Sequence, residues 1–379
     1  MDHQTAVDTH TRRGHSFHAD EFEAVAELHA SIAQPRTSLV LMFCSSRRNL
    51  DRLAEAAGTA FSCPVIGCTT AGEISNAGYQ ENSLVGVSLS ADRFSIYPAL
   101  IESVVDFGAV EAEQLAQSLL PSAQPAPGKR RFGLLLIDGM SLCEERVTAH
   151  LYHAFGQMQI VGGSAGDDLA FQATQVLAEG RFRNGAAVFC VVETDLSFRA
   201  FRTQHLVPTD RKLVITEADP STRRVTEIDG MPAREAYAEA LGLPVDQLCP
   251  ALYSSHPVLL QIGGQSYVRS IQRAEPDGSL VFYCAIDNGL VLTLAECTDL
   301  ADDLQTSLRR LEQDLGSIEL IIGFDCILRR LEMRDRGELD AIERILAPYP
   351  FVGFSTFGEQ FNGIHVNQTL TGIAFGGRR

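Results

Sequence analysis

The sequence predicts a mixed α/β fold made of repeated strand–helix–strand–glycine-rich turn–strand units, which form an N-terminal and a C-terminal half. Three observations support this prediction. Three segments of the chain follow one pattern, and each begins with a continuous aliphatic run of the kind found in strands buried on both faces. A stretch of alternating apolar and polar residues between the second and third copies predicts an antiparallel strand-rich insertion.

Each copy opens with a strand and a helix. The predicted strands cover residues 38–44, 132–137 and 318–326, and the predicted helices cover residues 49–57, 144–155 and 337–346. A second short strand then leads into a glycine-rich turn that ends in an acid, over residues 67–73, 162–167 and 353–359. Glycine permits a positive φ in such turns, and the acid can accept backbone N–H groups there.

The insertion is expected over residues 196–315. Alternating runs predict antiparallel strands in it, and Asp277-Gly278 predicts a hairpin turn. Helical patterns over residues 233–241 and 300–315 interrupt these strands. At the other end of the chain, residues 1–35 begin with a polar stretch that holds four histidines, and they are predicted to form a mobile N-terminal tail.

Composition and charge exclude several classes of protein. The chain has 379 residues, 45% of them hydrophobic, and a formal net charge of −17, so a phosphate backbone or an anionic membrane surface would repel it. Its nine cysteines form no CxxC pair, which indicates reduced thiols in a cytoplasmic protein. No apolar run reaches the roughly 18 residues that a membrane span needs.

Catalysis is the weaker interpretation of the repeated turns. Neither GxGxxG nor GxxxxGK(S/T) is present, so a phosphate-binding loop is not indicated. Hydroxyls recur at Thr69, Ser164 and Ser355, followed by the acids Glu73, Asp167 and Glu359. A nucleophile needs a base within hydrogen-bond reach, and His365 is the one histidine near these turns in sequence. The chain is therefore predicted not to be an enzyme.

His256 stands out among the ten histidines because it enters a strongly apolar run, followed by Pro257. Proline restricts the residue before it to extended backbone, which fixes the direction of the imidazole. A rigid neutral imidazole at the mouth of an apolar pocket is what the axial site of an iron porphyrin requires. The alternative is a buried histidine that is hydrogen-bonded to a carbonyl group.

Several separated motifs resemble one known family. They are GCTTAGEI at 67–74, GGSAGDD at 162–168, the segment 225–240, the SHPV run around His256, and GFSTFGEQ with HVNQT over 353–369. Together these motifs look like FIST-domain proteins, which are intracellular signal-transduction sensors, and the resemblance covers residues 36–375. It implies a FIST N-like domain over 36–230 and a FIST C-like domain over 231–379.

Within that family the chain looks most like the NosP type. This resemblance implies a sensor that binds haem b, responds to nitric oxide and regulates a cytoplasmic histidine kinase in two-component and cyclic-di-GMP signalling, with effects on biofilm and quorum responses. A homodimer is among the expected assemblies. The pair His256-Pro257 matches the family's histidine, so His256 is expected to ligate the iron, with Tyr253 and Pro257 beside it. Arg269 matches the family's Tyr-Val-Arg strand.

The residues add a physical expectation to the resemblance. Haem needs an apolar slot, one axial donor and cations at its rim. The runs 258–262 and 281–285 are expected to wall the slot, and Arg269 and Arg273 are expected to pair with the propionates. Two alternatives stay open: a sensor of haem itself or of a small organic ligand such as an amino acid, held between the repeats, and an enzyme that uses Thr69, Ser164 or Ser355.

Overall fold

The computed structural model describes residues 10–120, 122 and 124–377, and three repeats in it share one order of elements. Each repeat has an edge strand, a helix, a central strand, a second helical segment, a third strand, a two-stranded hairpin and a last strand. The first repeat consists of β1 (Thr11–Ser16), α1 (Glu21–Ile32), β2 (Thr37–Ser45), α2 (Leu50–Ala60), β3 (Val65–Thr70), β4 (Glu73–Ser75), β5 (Gly78–Gln80) and β6 (Leu84–Ser90).

The second repeat follows the same order. It consists of β7 (Phe94–Ile101), α3 (Ala109–Leu119), β8 (Arg130–Ile137), α4 (Glu144–Ala154), β9 (Ile160–Ser164), β10 (Val176–Ala178), β11 (Arg181–Arg183) and β12 (Ala187–Thr194). The third repeat starts with β13 (Phe198–Thr203), which is followed by an insertion. The insertion consists of β14 (Leu206–Asp219), β15 (Arg224–Ile228), β16 (Met231–Pro232), α5 (Ala233–Leu241), a short 3₁₀ helix (Val245–Gln247), α6 (Pro250–Ser255), β17 (Val258–Ile262), β18 (Gln265–Arg269), β19 (Ile271–Ala274), β20 (Leu280–Phe282) and β21 (Val291–Cys297).

The third repeat then resumes. It continues with α7 (Leu300–Leu315), β22 (Ile318–Cys326), α8 (Ile327–Asp335), α9 (Leu339–Leu346), β23 (Phe351–Thr356), β24 (Glu359–Phe361), β25 (Ile364–Val366) and β26 (Leu370–Gly376). The predicted threefold pattern and the mixed α/β class are confirmed. The insertion is shorter than predicted, because β13 and α7 belong to the third repeat and flank the inserted strands.

Each repeat builds a mixed sheet around its central strand. The central strand pairs in parallel with the third strand and antiparallel with the last strand, as β2 does with β3 and β6. The strands β8 and β22 make the same pairs in their own repeats. The edge strands β1, β7 and β13 pair with the last strands of their repeats and complete one side of each sheet.

The other side of each sheet is completed by a different repeat. The β4–β5 hairpin of the first repeat pairs with β23, the β10–β11 hairpin of the second pairs with β3, and the β24–β25 hairpin of the third pairs with β9. An uncovered strand edge offers unpaired backbone groups, so each repeat needs the hairpin of another. The three sheets thus close into one cyclic body.

Backbone hydrogen bonds close the same cycle at the turns. The N–H of Ala71 donates to Ser355 O at 2.9 Å, that of Gly166 to Thr69 O at 2.9 Å, and that of Phe357 to Ser164 O at 3.3 Å. The inner faces of all three sheets share one apolar core, and the helices cover the outer faces with separate apolar clusters. We call this assembly the body.

The insertion forms a second unit with its own core. Its strands form a nearly closed antiparallel sheet in the order β18-β17-β21-β14-β15-β20-β19, with β16 paired to β15. The helices α5 and α6 pack on it and contribute Tyr237 and Tyr253 to a separate apolar cluster. We call residues 206–297 the insertion barrel.

The predicted N-terminal tail is wrong for the residues that the structure describes. Residues 11–16 form β1, paired with β6, and α1 begins at an N-cap, Asp20, whose side chain accepts the N–H groups of Phe22 and Glu23. Ala24, Leu28 and Ile32 bury one face of this helix, because apolar residues recur there at helical spacing. Residues 1–9 lie outside the described part of the chain.

The helices can also be compared with the length of a membrane span. Among the residues described, no helix combines the length and the apolar character that crossing a bilayer would require.

Candidate functional site

The structure places His256 at the C-terminal end of α6. Its backbone N–H donates to Leu252 O at 2.9 Å, and its carbonyl oxygen accepts the hydroxyl of Tyr237 at 2.7 Å. The imidazole is half-buried, and its Nδ1 lies 3.0 Å from Ser255 Oγ. Pro257 follows as a buried residue directly before β17.

The other residues of the predicted haem site have different surroundings. Tyr253 is buried in the core of the insertion barrel, where its ring lies 5.8 Å from that of Tyr237. Arg269 is buried, and its guanidinium donates to Val268 O and, at 3.4 Å, to His365 O in the body. Five of the cavities in the described chain are lined by other side chains. Tyr253 and Arg269 are engaged in packed surroundings, and a haem slot at His256 stays a prediction.

The recurring hydroxyls lie inside the body. Thr69, Ser164 and Ser355 are fully buried at the ends of their strands. Thr69 Oγ1 accepts the N–H of Gln175 at 3.0 Å, and Ser164 Oγ accepts the amide of Gln360 at 2.8 Å. Because these positions are enclosed by the ring of backbone hydrogen bonds, their visible role is to join the repeats.

The acids after the turns accept hydrogen bonds, as the sequence predicts. Glu73 and Glu359 accept from equivalent donors: Ser83 N–H and Oγ in one case, and Thr369 N–H and Oγ in the other. Asp167 accepts three backbone N–H groups, from residues 171–173. Counted from the first glycine of each turn, however, Asp168 is the residue equivalent to Glu73, because the second repeat has an extra acid one position earlier.

Glu359 makes the stability of the body depend on pH. Burial raises the pKa of this fully enclosed carboxyl to about 8, although Thr356 and Thr369 donate to it. The pKa of Glu359 in the folded state lies above its ordinary value of about 4.5, which applies in the unfolded state. The contribution of Glu359 to the free energy of unfolding is therefore fully present below about pH 4.5. That contribution is lost as the pH rises through about 8.

We expect Glu359→Gln to flatten this pH dependence. Between pH 5 and pH 8 the free energy of unfolding of the wild type should fall more steeply than that of the variant, by at most ~1.4 kcal/mol per pH unit. Urea titrations at several pH values measure both slopes. Glu113→Gln, an exposed change on α3, is the matched control. Parallel profiles for wild type and Glu359→Gln would contradict the assignment.

A cleft of about 300 Å³ lies where the insertion barrel meets the body. Its lining comes from the loop after β8, from residues 171 and 357 beside the turns, and, in the barrel, from β19, from β20 with the residue after it, and from the turn before β15. We call it the insertion cleft. Its body side lies at the carboxyl ends of the parallel strands, which is where ligands bind in open α/β sheets.

Aromatic rings form one wall of the insertion cleft. The rings of Phe171 and Phe357 stack with centroids 4.8 Å apart and an interplanar angle of 23°. Tyr283 lies 6.3 Å from Phe171 and extends this wall from the barrel side. A planar or aliphatic group of a ligand could therefore be sandwiched or covered at this wall.

Two arginines line the insertion cleft. Arg223 is buried and bridges the units, since its guanidinium donates to Glu144 at 2.7 Å and to Glu145 at 2.8 Å on α4. Burial raises the pKa of Glu144 to about 7, although Arg223 opposes this shift. Arg273 lies at the mouth with a side chain that is 55% exposed and bonded to Glu275 at 2.8 Å. It can turn to an anionic ligand, because that pair is solvent-exposed and weak.

Behind the aromatic wall lies a group of buried polar side chains. His365 is 1% exposed, burial lowers its pKa to about 4, and its Nδ1 lies 3.2 Å from Gln360 Nε2. Within the described residues, His365 Nε2, both side-chain polar atoms of Asn367 and Ser355 Oγ have no protein hydrogen-bond partner. Buried groups of this kind are normally satisfied by ordered water or by a ligand.

A cluster with metal-ligand chemistry occurs at the junctions of the insertion barrel. Ligand atoms of His205, Cys297 and Glu332 lie within 4.8 Å of one another. His205 Nε2 is 2.9 Å from Glu332 Oε2, and its Nδ1 is 3.4 Å from a nitrogen of Arg329. A metal on Nε2 would leave the proton on Nδ1, facing a guanidinium that cannot accept it. We therefore describe the cluster as a hydrogen-bonded network that attaches the barrel to α8.

Sequence reasoning found this region in part. It marked residues 281–285 and Arg273, but as parts of a haem slot around His256. Phe171, Phe357 and Arg223 are not predicted from the sequence as site residues, because they come from separate segments and line one cleft only when the chain folds. The sequence holds one signal for this wall. The fifth position of the glycine-rich turn is phenylalanine at 357, whereas the other repeats have Ala71 and Gly166 there.

Comparisons with known proteins identify two family domains. The FIST N domain matches residues 38–231, and the FIST C domain matches residues 233–362. An uncharacterised protein of Methanocaldococcus jannaschii is 29% identical over 168 residues, which is 41% of this chain and 32% of that protein. The chain thus spans about a third of the length of that relative.

Solved structures resemble the chain only weakly. A cyanuric acid hydrolase from A. caulinodans is 12% identical, covers 48% of this chain and 70% of its own, and has a TM-score of 0.26. PurLQS from Thermotoga maritima is 11% identical, covers 97% of this chain and 72% of its own, and has a TM-score of 0.20. Neither score supports an inference about this chain.

Proposed function

This chain belongs to the FIST family, whose domains are signal-transduction sensors, and we propose that it senses a small organic carboxylate, such as an amino acid, bound in the insertion cleft. The observation that supports this proposal is the combination of a stacked aromatic wall and the exposed cation Arg273 in a cavity between two structural units. Small-molecule sites are typically apolar concavities with a few convergent polar groups, and they favour domain interfaces.

The position of the cleft suggests how binding is converted into a signal. Arg223 and the Glu145 carboxylate, which accepts the N–H of Ala285, link the barrel to α4 beside the cleft. A ligand that contacts both the barrel and the body favours one relative position of these units over another. It shifts the equilibrium between the two positions by the difference in its affinity for them. A partner that touches both surfaces would respond to that shift.

A thermal-shift screen of amino acids and small carboxylates tests the proposal. A ligand at about 100 times its Kd should stabilise the folded state by about 2.7 kcal/mol. Phe171→Ala and Arg273→Gln should abolish the shift, because they remove the wall and the mouth cation. Arg224→Gln is the matched control, since Arg224 pairs with the exposed Asp277 and does not line the cleft. A screen without any shift, or equal shifts in all variants, would reject the proposal.

The haem-dependent nitric-oxide sensor that regulates a histidine kinase is the second proposal. It rests on the resemblance of the His256-Pro257 motif, and on the contact of His256 Nδ1 with Ser255, since iron-ligating histidines commonly use their other nitrogen in this way. Tyr253 and Arg269 do not support it, because both are engaged in packed surroundings. Haem added in the same screen, followed by its absorption spectrum, distinguishes the two proposals. A spectrum that changes in His256→Ala but not in His153→Ala would favour haem.

A further inference from the structure

A second cavity, of about 370 Å³, lies at the opposite ends of the parallel strands, at the start of β3. We call it the helix–hairpin cavity, because it separates the C-terminal half of α2 from the tip of the β10–β11 hairpin. Most of its lining is aliphatic or small: Ala54, Ala57, Gly58, Pro98, Leu100 and Leu177. A cavity of this size is within the range of small-molecule sites.

The threefold body contains this place three times, with different contents. In the second repeat the ring of Tyr152 on α4 lies against the tip of the β24–β25 hairpin, where a Cβ on Gly363 would be 2.8 Å from Tyr152 Cδ1. In the third repeat a cavity of about 370 Å³ remains between α9 and the β4–β5 hairpin, and the carboxylate of Glu343 crosses one side of it and accepts the N–H of Tyr79 at 2.8 Å. In both repeats a side chain of the second helical segment contacts the hairpin.

In the first repeat the corresponding position holds no side chain. Gly58 precedes Phe61, which caps the C-terminus of α2, by three residues, and Tyr152 precedes Phe155, the cap of α4, by the same number. A Cβ built on Gly58 meets nothing within 4 Å. Glycine within a helix costs about 0.5–1 kcal/mol relative to alanine, so the missing side chain at this position lowers the stability of α2.

We propose that the helix–hairpin cavity binds a small uncharged aromatic molecule, whose ring lies where the ring of Tyr152 lies in the second repeat. The aromatic class follows from the group that fills the equivalent place in this same chain. The absence of charge follows from the lining residues that the structure describes: they include no lysine or arginine to pair with an anion, and their one carboxylate, Glu179, already lies 3.7 Å from Arg183. The site is separate from the insertion cleft and does not depend on it.

Indole is a suitable probe, with binding measured by calorimetry on the full chain. We expect wild-type protein and Gly58→Ala to bind it alike, because alanine leaves most of the cavity open. Gly58→Tyr should supply the missing ring from within the chain and weaken indole binding by at least about tenfold, since the volume is then filled. The same variant should melt at a higher temperature than the wild type.

Two further measurements keep the test decisive. If Gly58→Tyr fails to fold, Ala99→Phe fills the cavity from the opposite wall on β7 and should give the same loss. Wild-type protein that binds no indole up to its solubility limit, or equal affinity in the filled variants, would overturn the proposal. A change from dimer to monomer in Gly58→Tyr, seen by size exclusion with light scattering, would also overturn it, because the cavity would then be a contact between two copies.

Discussion

Gly353→Ala is expected to destabilise the protein by about 3 kcal/mol or more, at the upper end of the range for overpacking. The reason is a close approach of two backbones. A Cβ on Gly353 would lie 2.0 Å from the carbonyl oxygen of Gly323 on β22, the neighbouring parallel strand. The obstacle is backbone in the middle of a sheet, so it cannot rotate away as a side chain could. Urea denaturation measures the loss as a shift in the midpoint.

The same close approach of two backbones occurs in all three repeats, so the prediction can be tested at two further glycines. A Cβ on Gly67 would lie 1.8 Å from Met42 O, and one on Gly162 would lie 1.9 Å from Leu135 O, so alanine at either position should cost a similar amount. Gly58→Ala is the matched control, since it adds the same methyl group in open space and should stabilise α2 by about 0.5–1 kcal/mol. Wild-type stability in Gly353→Ala would show that the sheet can widen locally, contrary to this argument.

These glycines also show what the sequence could and could not predict. The pattern gave the repeat and the positions of its central strands, because aliphatic runs and helical spacing are local properties. The positive φ that the sequence predicts for the repeated glycines is present at Gly72, with φ of 122°, and at Gly358, with φ of 158°. Gly67, Gly162 and Gly353 instead lie in strands and are required by a neighbouring backbone. A sequence alone does not show which strand will be that neighbour.

Two other features depend on contacts between residues far apart in the chain, and the sequence did not predict them. The exchange of hairpins between repeats has no local signature, because a short alternating strand can complete the edge of any of the three sheets. The helix α8 was not predicted, since its sequence is rich in charge and lacks a simple apolar stripe. It is nevertheless buried, because Arg330 donates to Ala71 O and Glu332 accepts from His205, both distant in sequence.

In the candidate site, too, residue types were visible in the sequence and long-range contacts were not. The sequence singles out His256, Arg269 and Arg273 as candidate site residues, because an imidazole before a proline and cations near an apolar run are informative without a structure. It could not place Arg269 against His365 or Arg223 between two glutamates of α4, because these contacts join the barrel to the body across about 80 to 96 residues of chain. The wall formed by Phe171 and Phe357 depends in turn on the cyclic order of the repeats.

Arg329→Met is the second change with a large expected effect, a loss of about 3–5 kcal/mol in the free energy of unfolding. Arg329 and Asp325 are both fully buried and form an ion pair at 2.7 Å. Removal of the guanidinium leaves the Asp325 carboxylate without its cation in an interior that solvates charge poorly. Urea or thermal denaturation at neutral pH measures the loss, and Arg36→Met, at an exposed pair with Asp92, should cost less than about 1 kcal/mol.

The double variant Asp325→Asn/Arg329→Met separates the two parts of this effect. If the loss comes from an uncompensated charge, the double variant should recover much of it, because a buried pair replaced by neutral groups is often close to neutral in stability. If the double variant is as unstable as Arg329→Met, the guanidinium matters through its contact with His205 instead. His205 and Cys297 are the two junctions of the insertion barrel, so that outcome would place the main attachment of the barrel at α8.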